Sequence, residues 1–78
     1  MNKELQNLSR FVKDRRKLAK LTQPELAAKA GVGLRFLRDL ERGKTTLKTD
    51  KINIVLKLFG HELGPVPLNR DSLLNEES

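Results

Sequence analysis

The chain contains no cysteine, no tryptophan and no tyrosine, and its only histidine is His61. Without cysteine it can form neither a disulfide framework nor a thiolate metal site. His61 has no acidic pair at metal-ligand spacing, so we expect no metal and no cofactor. There is no nucleophile–base triad, no phosphate-binding glycine loop and no carboxylate pair, and 78 residues would scarcely enclose a pocket around them. We therefore expect no enzymatic activity.

Long apolar runs are absent as well. The stretch Ile54-Val55-Leu56 is far shorter than a membrane span, and the N-terminus has no apolar stretch of signal-peptide type. We therefore expect no membrane contact and a cytoplasmic location. The three phenylalanines, Phe11, Phe36 and Phe59, stand far apart, which argues against binding of RNA or single-stranded DNA by base stacking.

Positive charge is in excess and unevenly spread. Residues 1–68 carry 15 Lys and Arg against 7 Asp and Glu, a net charge of +8, whereas residues 69–78 carry a net charge of −2. A compact basic domain attracts polyanions such as nucleic acids, although the same charge also suits an ordinary solvated surface. We expect one domain over residues 1–68, followed by a disordered acidic tail at residues 69–78.

The most informative segment runs from residue 21 to residue 44. Thr22 and Glu25 stand three residues apart, as in a helix-capping box. Pro24 falls in the first turn of the predicted helix, where a missing N–H is tolerated. Apolar residues then recur at helical spacing as far as Gly31, which predicts the C-terminal cap of this helix.

A second helix is predicted from Gly33 or Leu34 to Arg42, with Gly43 ending it. Two helices joined by so short a linker must cross at a steep angle, which is the helix-turn-helix geometry. In that motif the second helix lies in the major groove of duplex DNA.

Two further helices are predicted around this pair. The first runs from Lys3 or Leu5 to Lys20, and the fourth is capped by Thr49 and ends at Gly60. Their apolar stripes are Leu5, Leu8, Phe11, Val12, Leu18 and Ala19 in the first helix, and Ile52, Val55, Leu56 and Phe59 in the fourth.

The character of the chain changes after Gly60. Pro65 and Pro67 rule out a helix there, so residues 61–68 are predicted to form a short extended segment at an edge or between subunits.

Several motifs agree in order and spacing with one known family. Thr22-Gln23-x-Glu25-Leu26-Ala27, Ala30-Gly31-Val32 and Leu40-Glu41-Arg42-Gly43-Lys44 resemble the Xre/Cro/phage-repressor helix-turn-helix family. The run Gly31 to Leu37 and the ending Phe59-Gly60-x-x-Leu63 most resemble HipB-like antitoxins. The resemblance covers about residues 8–68. It implies an all-α, lambda-repressor-like DNA-binding domain of four or five helices with a short extended C-terminal segment.

The resemblance also places one face of the reading helix toward DNA bases. The residues it places there are Gly33, Leu34, Arg35, Arg38 and Asp39. Arg35 and Arg38 lie three residues apart on one face, and arginine can bond O6 and N7 of guanine together. We expect Arg35 to read a base and Arg38 to read a base or hold a phosphate. Asp39 can accept from cytosine N4, but pairing with Arg35 or Arg42 is the favoured role.

Phosphate contacts are expected on both sides of the reading helix. Gln23 begins the preceding helix, where an amide and free backbone N–H groups suit a phosphate oxygen, as in the family. The candidates that follow the reading helix are Arg42, Lys44, Thr45 and Thr46.

Two further roles follow from the resemblance. It pairs Arg16 with Glu41 as a structural ion pair and turns Phe36 inward, to the core or to a subunit contact. It also implies a homodimer on a palindromic operator, with its contact at Phe59, Leu63, Val66 and Leu68.

The predicted function is repression of transcription by a dimer that covers an operator in double-stranded DNA. The resemblance to HipB implies a partner, a HipA-like kinase toxin, and a complex that represses its own operon on the nucleoid. Two alternatives stay open: a phage-type repressor without a toxin, and an interaction module that neutralises a toxin and binds DNA only secondarily.

Overall fold

Four α-helices make up the regular structure of the part of the chain that the computed structural model describes, residues 3–44, 46–65 and 67. They are α1 (Lys3–Leu18), α2 (Gln23–Ala30), α3 (Leu34–Arg42) and α4 (Thr49–Lys57), with no strand in that part. The predicted all-α fold is confirmed, with four helices there. None of these helices is long and apolar enough to cross a membrane. Thr45, Val66, Leu68 and the predicted tail at residues 69–78 lie outside the described residues.

The core draws on all four helices. Its buried side chains are Val12 from α1, Leu26 and Ala27 from α2, Leu37 and Leu40 from α3, and Ile52, Val55 and Leu56 from α4. Each fully buried leucine contributes about 1.5–3 kcal/mol relative to an exposed one. Because α3 supplies two of these side chains, its inner face is fixed and its outer face is left to solvent.

The end of α1 differs from the prediction. The helix ends at Leu18, and Lys20 adopts a left-handed conformation with φ +58°. Leu18 is 74% exposed and Ala19 is also exposed, so their place in the apolar stripe was wrong. The physical reason is that α1 ends at Leu18, so these two side chains lie at the end of the helix and not along its buried face.

The α2–α3 pair has the predicted caps. Thr22 Oγ1 accepts from the Glu25 N–H at 3.2 Å, and the Thr22 N–H donates to Glu25 Oε1 at 2.9 Å, which confirms the capping box. Gly31 (φ +73°) and Gly43 (φ +82°) end α2 and α3 in the left-handed region that favours glycine.

The start of α4 corrects another prediction. Lys48, not Thr49, is the N-cap, and it has no side-chain cap bond. The helix begins one residue earlier because the Lys48 carbonyl accepts the first bond, from the Ile52 N–H at 3.1 Å. The helix ends at Lys57, three residues before the predicted Gly60, which has φ +72°. Residues 61–65 form no helix, as predicted.

Candidate nucleic-acid interface

The outer face of α3 is a row of arginines. Arg35, Arg38 and Arg42 are all exposed, and they recur at helical spacing opposite the buried Leu37 and Leu40. None of the three makes an ion pair within the described residues. We call these three residues the arginine face. An anionic ligand therefore meets unpaired guanidinium groups on a helix whose other side is locked in the core.

The beginning of α3 presents little side chain to a ligand. Gly33 is the exposed N-cap, and it makes no side-chain cap bond. Leu34 is half-buried and packs on the core. Phe36 also packs on the core, and the Lys51 ammonium lies 5.9 Å from the centre of its ring. Of these residues, Gly33 is the one that leaves its backbone open to an approaching ligand.

The structure pairs Asp39 with Lys44 rather than with Arg35 or Arg42. The Lys44 ammonium lies 3.5 Å from Asp39 Oδ2. The left-handed Gly43 turns the chain back, so that the Lys44 N–H donates to the Asp39 carbonyl at 3.0 Å. The Asp39 carboxylate is therefore paired with Lys44 and not with a residue of the arginine face.

A three-residue network joins α1, α2 and α3. Arg16 Nε donates to Glu41 Oε2 at 2.8 Å, and Arg16 Nη2 donates to Glu41 Oε1 at 3.1 Å. Gln23 Nε2 donates to the same Oε1 at 3.2 Å. The side chain of Glu41 is only 3% exposed, so these bonds form largely out of solvent. The structure thus brings together the Arg16–Glu41 pair expected from the sequence, and it adds Gln23 to it.

The start of α2 offers fewer free donors than its sequence suggests. The Glu25 N–H is taken by Thr22, the Leu26 N–H donates to the Thr22 carbonyl at 3.0 Å, and Pro24 has no N–H. Among the described residues, the Gln23 N–H is the remaining unpaired backbone donor of the first turn. An anion here would meet that N–H and the second amide hydrogen of Gln23.

The carboxyl group of Glu25 adds negative charge at this helix end. The backbone N–H and then the hydroxyl of Thr22 lower the pKa of Glu25 below its usual value of 4.5. The group is therefore ionised near neutral pH. Its charge suits the α2 dipole but repels an incoming phosphate.

The remaining candidate contacts occupy two regions. Lys44 and Thr46 follow α3 and are exposed. Phe59 and Leu63, expected at a dimer contact, are half-buried and pack on the core. Leu63 lines a groove of about 530 Å³ with Leu8, Phe11 and Leu56 among others.

One polar contact in this region was not predicted. Asn53 Oδ1 on α4 accepts from the Leu63 N–H at 2.7 Å and holds the following segment against the helix. A polar residue between Ile52 and Ile54 was the available sequence signal, but it did not identify the partner. The bond fixes where the chain after α4 runs.

Comparisons with known proteins agree with this geometry. The helix-turn-helix family model matches residues 12–64. A curated relative, the "Uncharacterized HTH-type transcriptional regulator y4mF" of Sinorhizobium fredii (strain NBRC 101917 / NGR234), is 53% identical over 45 residues, which are 58% of this chain and 59% of that protein. The chain thus spans about three-fifths of the relative's length. No solved structure matches the chain at a significant level.

Proposed function

This chain belongs to the helix-turn-helix family of DNA-binding transcription regulators, and we propose that it is a sequence-specific repressor. The observation that carries the proposal is the arginine face, unpaired within the described residues and presented by a helix that the core and Glu41 hold in place. Repression would be steric, because a protein bound across a promoter excludes the polymerase.

Base reading is assigned to Arg35 and Arg38 of the arginine face and to their neighbours at the start of α3. Arg35 lies near the N-terminal end of α3, the end whose residues meet base edges when such a helix enters the major groove. A bidentate arginine–guanine contact discriminates by about 1–3 kcal/mol. Arg38 reads a second base or binds a phosphate. Gly33 and Leu34 lie closest to the bases at the same end.

Phosphate contacts would flank the reading helix. Gln23 presents one backbone N–H and one amide hydrogen, and its amide is oriented by Glu41. Arg42, Lys44 and Thr46 are exposed at the other end of α3. Thr45, which lies outside the described residues, belongs to the same proposed set. Such contacts fix the position of the protein on the duplex and carry no sequence information directly.

We also propose that the protein binds a palindromic operator as a homodimer. One reading helix covers few base pairs, and a two-fold dimer doubles the site with half-sites about one helical turn apart. The proposed contact comprises Phe59, Leu63, Val66 and Leu68. Sedimentation of the full chain should show a dimer, and a chain ending at Gly60 should be a monomer. A dimer that persists in the truncated chain would move the contact elsewhere.

A HipA-like kinase toxin is the proposed protein partner. Its support is the likeness of residues 31–37 and 59–63 to HipB-like antitoxins. Purification of the tagged protein from its native cell should then recover a kinase-like protein encoded nearby. Recovery of the protein without such a partner would favour a free-standing repressor.

A reporter assay tests repression itself. The DNA upstream of the gene would drive a reporter with and without the protein. Wild type should repress it, and Arg35→Ala should not, at equal protein levels. Lys57→Gln is the matched control, because Lys57 is an exposed cation at the end of α4, a different helix from the one that carries the arginine face. Equal reporter output with and without wild-type protein would reject repression of this promoter.

A further inference from the structure

Lys20 occupies a backbone conformation that lysine rarely adopts. Its φ is +58°, and it is the one non-glycine residue with positive φ in the described part of the chain. Gly31, Gly43 and Gly60 fill the other left-handed positions there. Glycine reaches this region without the steric penalty that a Cβ atom brings. A lysine at this turn therefore carries conformational strain that glycine would avoid.

The turn around Lys20 is firmly held. The Lys20 N–H donates to the Lys17 carbonyl at 3.0 Å, and the Leu21 N–H donates to the Arg16 carbonyl at 3.1 Å. Arg16 Nη1 also donates to the Leu21 carbonyl at 2.9 Å. Since Arg16 binds Glu41 as well, this turn is fixed relative to the end of α3. The position of Lys20 is thus set by the same network that orients Gln23.

Among the described residues, nothing pairs with the Lys20 side chain. It is exposed and makes no ion pair within the described residues. The packing of the core does not use it either. Neither burial nor an ion pair therefore compensates for the strain at this position.

The first turn of α2, the neighbouring proposed phosphate contact, contains no cationic residue of its own. The first turn of α2 offers the Gln23 N–H and one amide hydrogen, and it carries the ionised Glu25. Two neutral donors beside a carboxylate are a weak site for a phosphate. Lys20 is the nearest cation before this turn in the sequence. Its ammonium can supply the charge that the helix end lacks.

We propose that Lys20 is a further DNA-contacting residue, whose ammonium binds the backbone phosphate beside Gln23. This inference rests on the proposed DNA binding and adds to it a residue that reads no sequence. A contact of this kind neutralises one phosphate. It should therefore appear in the salt dependence of binding and act equally on operator and random DNA.

The test measures affinity against salt concentration for a mixed-sequence duplex of about 30 base pairs, long enough for two half-sites. In the proposed homodimer the variant removes two such contacts, so Lys20→Gln should lower the slope of log K against log salt by about 1.8 and weaken binding up to about sixtyfold at 0.1 M salt. Lys20→Arg should keep the wild-type slope, because it keeps the charge. Lys57→Gln serves as the matched control. The neighbour of Lys57, Leu56, indicates that this control lies apart from Lys20. Leu56 lines a groove with Leu8 and Phe11, and both of these residues lie at least two helical turns before Lys20.

The outcomes separate the inference from the proposed function. An unchanged slope in Lys20→Gln, with wild type binding the duplex, overturns the contact and leaves DNA binding intact. A loss shared equally by Lys57→Gln also overturns it, since general charge would then be the cause. Failure of wild type to bind any duplex removes the proposed function and this contact together.

A stability measurement tests whether Lys20, the proposed DNA contact, is also conformationally strained. Lys20→Gly should raise Tm by about 3 °C while lowering the salt slope as Lys20→Gln does. A fall in Tm for Lys20→Gly would show that the lysine is not strained. The slope in Lys20→Gln would still decide the contact.

Discussion

Gln23 Nε2 lies 3.2 Å from Oε1 of Glu41, so the start of α2 is tied to the end of the proposed reading helix. The same oxygen accepts from Arg16 at 3.1 Å, and through it α1 joins the two. One carboxylate thus sets the relative position of three helices. Gln23, a proposed phosphate contact, and α3, the proposed reading helix, are therefore already aligned in the free protein. This alignment reduces the conformational entropy that is lost when the protein binds DNA.

Removing Glu41 should destabilise the fold strongly. Glu41→Ala leaves the Arg16 guanidinium, 12% exposed, without its carboxylate. Breaking one partner of a buried pair costs about 3–5 kcal/mol, so urea unfolding should show a loss of about that size. Asp39→Asn is the control, because its partner Lys44 is half-exposed and such a pair contributes at most about 1 kcal/mol. Equal losses in the two variants would contradict a special role for Glu41.

A helix cap can be added to α3. Gly33 has φ −70° and ψ 149°, ordinary extended values, and a Cβ built there meets nothing within 4 Å. Gly33→Ser should therefore stabilise the protein by about 0.5 kcal/mol, from the new cap and a less flexible unfolded chain. Thermal unfolding measures it, with Gly33→Ala as the control that lacks the capping oxygen. Serine no better than alanine would show that no cap forms.

The capping box predicts a pH dependence. Because Thr22 lowers the pKa of Glu25 below 4.5, the native state binds this proton less readily than the unfolded state does. The stability this gives is present above the unfolded pKa and is lost as pH falls through the lower folded pKa. Glu25→Gln keeps the hydrogen-bonding geometry but cannot titrate. The advantage of wild type over this variant should be full near pH 7 and be lost as pH falls below 4.5 and through the lower folded pKa. A difference that does not change over this range would reject the linkage.

Arg35 should matter for one DNA sequence and little for others. Arg35→Ala should weaken binding to the operator by about 1–3 kcal/mol per half-site, because it removes a bidentate contact to a base in each. Its effect on shuffled DNA should be small, since Arg42 and Lys44 still meet phosphates. Electrophoretic titrations of both duplexes measure this. Equal losses on the two would make Arg35 a phosphate contact instead.

Helix boundaries set by side-chain chemistry were predictable from the sequence. Thr22 with Glu25 predicted the start of α2, because their side chains bond the free N–H groups of a helix end. Gly31 and Gly43 predicted two helix ends, because glycine adopts the left-handed conformation that ends a helix. The buried positions of α4, Ile52, Val55 and Leu56, followed from periodicity for the same local reason.

Features that depend on where the chain turns were not predictable in the same way. The periodicity of apolar residues placed Leu18 in the stripe, because periodicity alone does not show that α1 ends there. Thr49 favours caps, yet it is the first residue of α4, and Lys48 takes the cap position. The pairing of Asp39 with Lys44 and the bond from Leu63 to Asn53 both require a chain reversal, at Gly43 or after Gly60. The strain at Lys20 belongs to this class too, since only the folded turn shows its φ.

The most direct test compares the affinity of wild-type protein for the DNA upstream of its own gene with that for a shuffled duplex of the same length and composition. Both titrations belong at about 0.15 M salt, because nonspecific attachment weakens steeply with salt. A sequence-specific repressor should prefer the upstream DNA by about a thousandfold or more. Equal affinity for the two duplexes, falling in parallel as salt rises, would contradict sequence-specific recognition and leave only electrostatic attachment.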